Sequence, residues 1–210
     1  MRRTAVALAA LLAGLGLWQL GQGAWVHVKA RVAQHLLQRA WARALDGEAR
    51  PAPWPWADTW PVARLRVPAH GVDLVVLEGV SGRTLAFGPG HVETTAAPGA
   101  AGTSVLSGHR DTHFRFLAAL RRGDEIVVDR RDGRRVRYRV SGTTVVDARR
   151  AVVRAGGAEP ALVLLTCYPF DGVLPGGPQR FAVVAHAAVP HQPVPHRMVA
   201  TALAGASESR

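Results

Sequence analysis

The sequence predicts an all-β domain closed into a barrel and preceded by helical segments. Three observations carry that expectation. Between Pro61 and Ala188 the apolar residues recur at period two or in short unbroken runs, as strands require. The 22 glycines and 14 prolines supply frequent turn signals between those runs. Only one stretch inside these limits has helical spacing. Many short strands leave many edges, and closure is the usual solution.

The chain opens with "MRRTAVALAALLAGLGLWQL", two arginines ahead of an uncharged apolar run from Thr4 to about Leu20. The run meets the lower limit for crossing a bilayer, about 17–25 residues. It exceeds a signal-peptide core of about 7–15. Residues 1–23 are therefore expected as an N-terminal transmembrane helix, and Gly21-Gln22-Gly23 leaves cleavage as a secretory signal open. Arg2 and Arg3 would stay in the cytoplasm and the rest would be exported. Trp18 and Trp25 flank the end of the run, where indoles favour the membrane–water interface.

Residues 24–60 are expected to hold a basic amphipathic helix and a connector. Trp25, Val28, Val32, Leu36, Leu37, Ala40 and Trp41 share helical spacing, with Lys29, Arg31, Arg39 and Arg43 elsewhere. This helix could lie on anionic lipid or pack on the following domain, and both readings stay open. The prolines of "DGEARPAPWPWADTWP" end it.

Residues 61–188 then supply the strands. "VARLRV" alternates, "VDLVVLEG" is a buried run closed by Gly79, and "TSVLSGH" follows. In "DTHFRFLAALRRGD", Phe114, Leu117 and Leu120 share a helical face that Gly123 ends. Two strands meet around Asp132-Gly133, a strong hairpin signal. "ALVLLTC" and "QRFAVVAHA" complete the set. Residues 189–210, punctuated by proline and then small and polar, read as a flexible tail.

The net charge of +11 invites a nucleic-acid reading. Export removes that partner, and no nucleic acid is expected. The basic residues between Arg121 and Arg139 alternate with Val and Tyr, as the exposed face of a half-buried hairpin does.

Cys167 is the single cysteine, so it forms no intramolecular disulfide and lacks partners for a zinc site. It stands at the end of an apolar strand. A nucleophilic thiol needs an acid or base and an oxyanion donor. His109 and His113 lie where another strand ends, in "SGHRDTHF". Arg180 opens the strand after the "DGVLPGGP" loop. If those two strands pair, thiol and guanidinium meet, and a permanently charged donor suits a developing oxyanion.

"LLTC", the upstream "SGH" and the downstream "QRF" resemble the sortase signature. The longer "SGHRDTHFRFL" and "LLTCYPF" resemble the class D-like sortases of Gram-negative bacteria, over about Val62 to Ala188. Val163 stands where the family usually has the first Thr of Thr-Leu-x-Thr-Cys, while Thr166 is retained. The resemblance implies a sortase-type barrel of eight strands with one or two short helices. It implies Cys167 as nucleophile, His109 as general acid/base and Arg180 as oxyanion and substrate clamp. Thr166, Asp111 and His113 would support them, Asp111 more by satisfying a helix N-terminus than by orienting His109.

The implied activity is a membrane-anchored transpeptidase. It would cleave an LPXTG-like C-terminal sorting signal of an exported protein through a thioester, then pass the acyl group to an amine. The chain would sit in the inner membrane, single-pass, with the catalytic domain on the periplasmic side. No cofactor or metal is expected. The loop from Val80 to Ala101 has only Glu93, and the segment from Asp147 to Pro160 only Asp147 and Glu159, too few oxygen ligands for calcium. A thiol peptidase that hydrolyses its substrate and a non-catalytic, membrane-tethered barrel remain the alternatives.

Overall fold

The computed structural model describes residues 2–150, 156–172 and 177–188. Eight strands run in the order β1 (Pro61–Val67), β2 (Val72–Glu78), β3 (Gly90–His91), β4 (Gly102–Ser107), β5 (Glu125–Arg130), β6 (Arg135–Asp147), β7 (Pro160–Cys167) and β8 (Gln179–Ala187). They close into a barrel in the spatial order β1-β2-β3-β4-β7-β8-β6-β5. The β2–β3 and β4–β7 pairs are parallel and the remainder antiparallel.

The alternation read from the sequence is the alternation of burial. In β1 every second residue is buried, and Ala63, Leu65 and Val67 are wholly inside. They meet Leu106, Ile126, Val128, Leu162, Leu164 and Val183 in one core. Each large aliphatic side chain so buried stabilises the fold by about 1.5–3 kcal/mol relative to an exposed one. The β5–β6 hairpin turns at Asp132-Gly133, with Gly133 at φ 76°, where a side chain would be strained.

The expected closed barrel of eight strands with few short helices is what forms, and three details lay beyond the sequence reading. The expected helical segment after β4 takes the form of a 3-10 helix, Arg115–Ala119. Phe114, Leu117 and Leu120 do share a buried face, and their spacing of three fits the three-residue turn of that helix. A short α2 (Gly82–Leu85), capped by the Ser81 hydroxyl, and a 3-10 turn at Pro68–His70 are additional. The two-residue β3 is the eighth strand, too short to show a period.

The N-terminal region is also different. Where two helices were expected in series, a single continuous α1 runs from Arg2 to Leu45. The side chains of residues 3–10, 17, 20 and 23 of the expected anchor lie outside the described residues. Among the described residues no helix is long and apolar enough to cross a membrane. The C-terminal turns of α1 pack on the barrel: Leu37, Trp41 and Ala44 are buried against Val75 and Leu77 of β2. Nearer its start, Leu11, Leu12, Leu15, Trp18, Trp25, Val28 and Val32 are exposed. The expected tail, residues 189–210, lies outside the described residues, as do 151–155 of the segment before β7.

Candidate active site

The site is built from neighbouring strand ends. β7 and β8 are antiparallel partners, and Cys167 is the direct register partner of Arg180. Opposed residues of an antiparallel pair project from the same face. Leu162, Leu164 and Thr166 alternate into the core, so Cys167 and Arg180 stand on the outer face. Both are half-buried.

On the other side of β7, parallel β4 brings Ser107 beside Leu165, two residues short of His109 and Cys167 respectively. Two further bonds extend that contact. The Gly108 N–H donates to the Leu165 carbonyl at 3.1 Å. The buried Thr166 hydroxyl donates to the Gly108 carbonyl at 2.7 Å. Gly108 is glycine because a Cβ there would meet the Phe114 ring at 2.8 Å. His109 follows with an exposed side chain and a backbone carbonyl that accepts from the Phe114 N–H at 3.0 Å.

The three residues singled out from the sequence thus lie at adjacent strand ends, across β4, β7 and β8. His113 lies close enough to His109 to feel its charge. Burial first, and then that neighbour, hold its imidazole below the ordinary value. His113 is therefore neutral near pH 7. Asp111 does neither of the things expected of it. The 3-10 helix has no side-chain cap, and the exposed Asp111 carboxylate instead pairs with Arg110 at 3.0 Å.

Arg180 donates through Nη1 to the Gly177 carbonyl at 2.8 Å and the Gln179 carbonyl at 2.9 Å. Both acceptors lie just before Arg180 in the chain and hold its Nη1 there. An aromatic cluster borders the pair. Tyr168 stacks on Phe181 at 6.3 Å, and Phe170 meets Phe181 edge-on at 5.1 Å. A cavity of about 380 Å³ opens beside them, lined by Val145, Val146, Asp147, Tyr168, Pro169 and Gln179 among others. Sequence reasoning missed both Arg110 and the aromatic cluster. "CYPF" followed by "RF" on the next strand was the available signal, since register puts those aromatics together. Among the described residues, no group of three or more His, Cys, Asp or Glu side chains is gathered that could hold a metal.

Residues 65–188 match the family model described as a sortase domain. Sortase D of Bacillus subtilis is 32% identical over 120 residues, 57% of this chain and 60% of its own length. The chain thus spans about 60% of the curated relative it matches. Sortase C-1 from Actinomyces oris has a similar structure, with a TM-score of 0.54 and 31% identity over 61% of this chain and 75% of its own. Sortase A from Corynebacterium diphtheriae gives 0.56 and 25% identity, covering 66% of each chain. Sortase C from Clostridium perfringens, solved with the C-terminal cell wall sorting motif, shares the fold at 0.56 and 20% identity. That likeness covers 77% of this chain and 90% of its own. An eight-stranded barrel of this order, matched along β1 to β8 by the family's own sequence pattern, makes the chain a member of the sortase family.

Proposed function

We propose that this protein is a membrane-anchored cysteine transpeptidase, class D-like and of Gram-negative type, acting on an LPXTG-like C-terminal sorting signal. The observation that carries the reading is the register pairing of Cys167 with Arg180 beside the strand end of His109. In the first half-reaction the Cys167 thiolate attacks the Thr carbonyl carbon of the signal, and a C–S bond forms. The carbonyl oxygen takes the negative charge, which Arg180 stabilises as a fixed cationic donor. The C–N bond then breaks, and His109 delivers a proton to the departing glycine amine. In the second half the amine of another molecule attacks the thioester, His109 takes back the proton the amine loses, a new amide forms, and the thiolate leaves. An amine wins over water when it is positioned at the thioester first.

The motifs "SGHRDTHF" and "LLTCYPF" support the class D-like assignment. The sorting-motif complex of the Clostridium perfringens neighbour supports the substrate class. The inner-membrane, single-pass location rests on the arginine-led apolar run and on the exposed apolar face of α1. A cavity of about 880 Å³ between α1 and the barrel, lined by Trp25, Val28, Val32, Trp54 and Phe87, continues that face.

The test is cleavage of an LPXTG-like peptide with and without an added amine, with mass spectrometry of the enzyme. Cys167→Ala abolishes the thioester. His109→Ala lowers turnover by roughly 10²–10⁴-fold. Arg180→Lys keeps the charge but loses the fork, and falls by about 10²-fold. His113→Ala costs far less than His109→Ala. Wild-type turnover in Cys167→Ala or His109→Ala would overturn the mechanism, and hydrolysis unchanged by saturating amine would make the enzyme a peptidase.

A further inference from the structure

Among the described residues Arg110 is the one strongly buried arginine at the site, only 8% exposed, and it follows His109 directly. An arginine taken that far out of water must have its donors engaged. Its Nη1 donates to the Pro169 carbonyl, and its Nη2 to the Gly172 carbonyl at 2.7 Å. Its Nε donates to the Asp111 carboxylate at 3.0 Å. The first two acceptors belong to the turn that leaves Cys167. That turn is itself closed by the Gly172 N–H on the Pro169 carbonyl at 3.3 Å. One side chain from the histidine segment therefore spans to the turn beyond the cysteine.

Gly172 is shaped for this contact: a Cβ there would stand 2.8 Å from Arg110 Nη1. The guanidinium is thereby held at the Pro169 carbonyl, two residues along the chain from Cys167. The Asp111 hydrogen bond, and to a smaller degree the Asp111, Cys167 and Asp171 charges, hold it above its ordinary value.

Within the transpeptidase reading, we infer that Arg110 is a positioning residue for the thiol. It ties the His109 segment to the turn after Cys167 through two carbonyls, and so brings a fixed positive charge to the turn that leaves the sulfur. It differs from Arg180, which approaches from the other side of β7 on β8. It also complements the two bonds that already join Gly108 to β7. Those bonds fix the strand ends, and Arg110 fixes what lies beyond them.

Cys167 is the single thiol, so alkylation of the intact chain reports on it alone. The experiment compares iodoacetate, an anion, with neutral iodoacetamide. The ratio of the two rates measures local charge and is independent of whether the protein is a transpeptidase. Arg110→Gln lowers the iodoacetate-to-iodoacetamide ratio by about tenfold, the scale on which a local charge steers an ion. Arg110→Lys retains most of the ratio.

Gly172→Ala keeps the arginine but displaces its guanidinium. Acyl-enzyme formation then falls roughly 10–100-fold, as for a misplaced reacting group, while the KM for the peptide stays within about twofold. An unchanged ratio in Arg110→Gln overturns the assignment, and so does wild-type acylation in Gly172→Ala. If Arg110→Gln does not fold, Arg110→Lys and Gly172→Ala decide the matter, and full acylation in both overturns it. A normal ratio response with no acylation of any peptide by the wild type would instead count against the transpeptidase reading, leaving the charge placement intact.

Discussion

Thr166 turns its hydroxyl into the protein, one residue before the thiol. It is 1% exposed, and its bond to the Gly108 carbonyl ties the cysteine strand to the histidine strand. Thr166→Val keeps the shape and leaves that carbonyl without its donor. A stability loss of about 1–3 kcal/mol is expected in urea unfolding, with turnover falling further than stability explains. His91 makes a second prediction. Its Nδ1 faces both Glu78 carboxylate oxygens at 3.2 Å, and its Nε2 faces the Ala96 carbonyl at 3.0 Å. Carboxylates and carbonyls only accept, so these contacts favour the doubly protonated imidazole, which donates from both ring nitrogens. Burial pulls its pKa down, but the hydrogen bond and charge of Glu78, the Ala96 carbonyl and Glu93 together lift it above the ordinary 6.5. The folded chain thus holds this proton more tightly than the unfolded one. The stabilisation is complete below about pH 6.5 and fades as pH rises through the folded-state value. Thermal melts should show the midpoint falling over that rise, and His91→Gln should flatten the slope. A wild-type slope retained in the variant would remove His91 as its source.

Strands that alternate or run long were legible, and so was the tight Asp132-Gly133 turn, because periodicity and glycine conformation are local properties. β3 was not. Two residues carry no period, and Gly90 is held by what lies opposite: its Cβ would fall 2.1 Å from the Gly79 carbonyl oxygen. Gly90→Ala should therefore part β2 from β3 and cost about 1–3 kcal/mol or more, read by urea midpoint. His91, one residue on, carries no signal in the sequence for the same reason, since its partner Glu78 lies on β2. The residues at the ends of β4, β7 and β8 were legible as types at strand ends, and pairing of β7 with β8 was a condition that the register meets. Arg110 was hidden. An arginine beside a histidine looks like any surface cation until folding brings two backbone carbonyls to it.

For the whole molecule, the question is how α1 belongs to the barrel. Leu37 is fully buried and Trp41 is 4% exposed, both against β2. Arg131 of the β5–β6 turn reaches the Glu48 carbonyl, and Arg50 lies over Trp60 at 4.7 Å. Trp41→Ala should lower stability by about 3–5 kcal/mol in urea. A fragment starting at Pro61 should melt below one starting near Ala30, because Val75 and Leu77 lose their cover. Equal melting points would mean that α1 is an appendage. Chelation of calcium should leave peptide cleavage unchanged, and a loss restored by added calcium would show a site the acidic residues do not suggest.

α1 rests against β1 and β2. Counting round the closed barrel, β2 and β8 are four strands apart in either direction. The helix is thus at the back of the barrel and the thiol row at the front. Whatever holds α1 stands behind the barrel, out of the way of traffic. Under the proposed function, two different molecules could then visit the sulfur in turn, one leaving its acyl group and one collecting it, without either being squeezed between the barrel and its support.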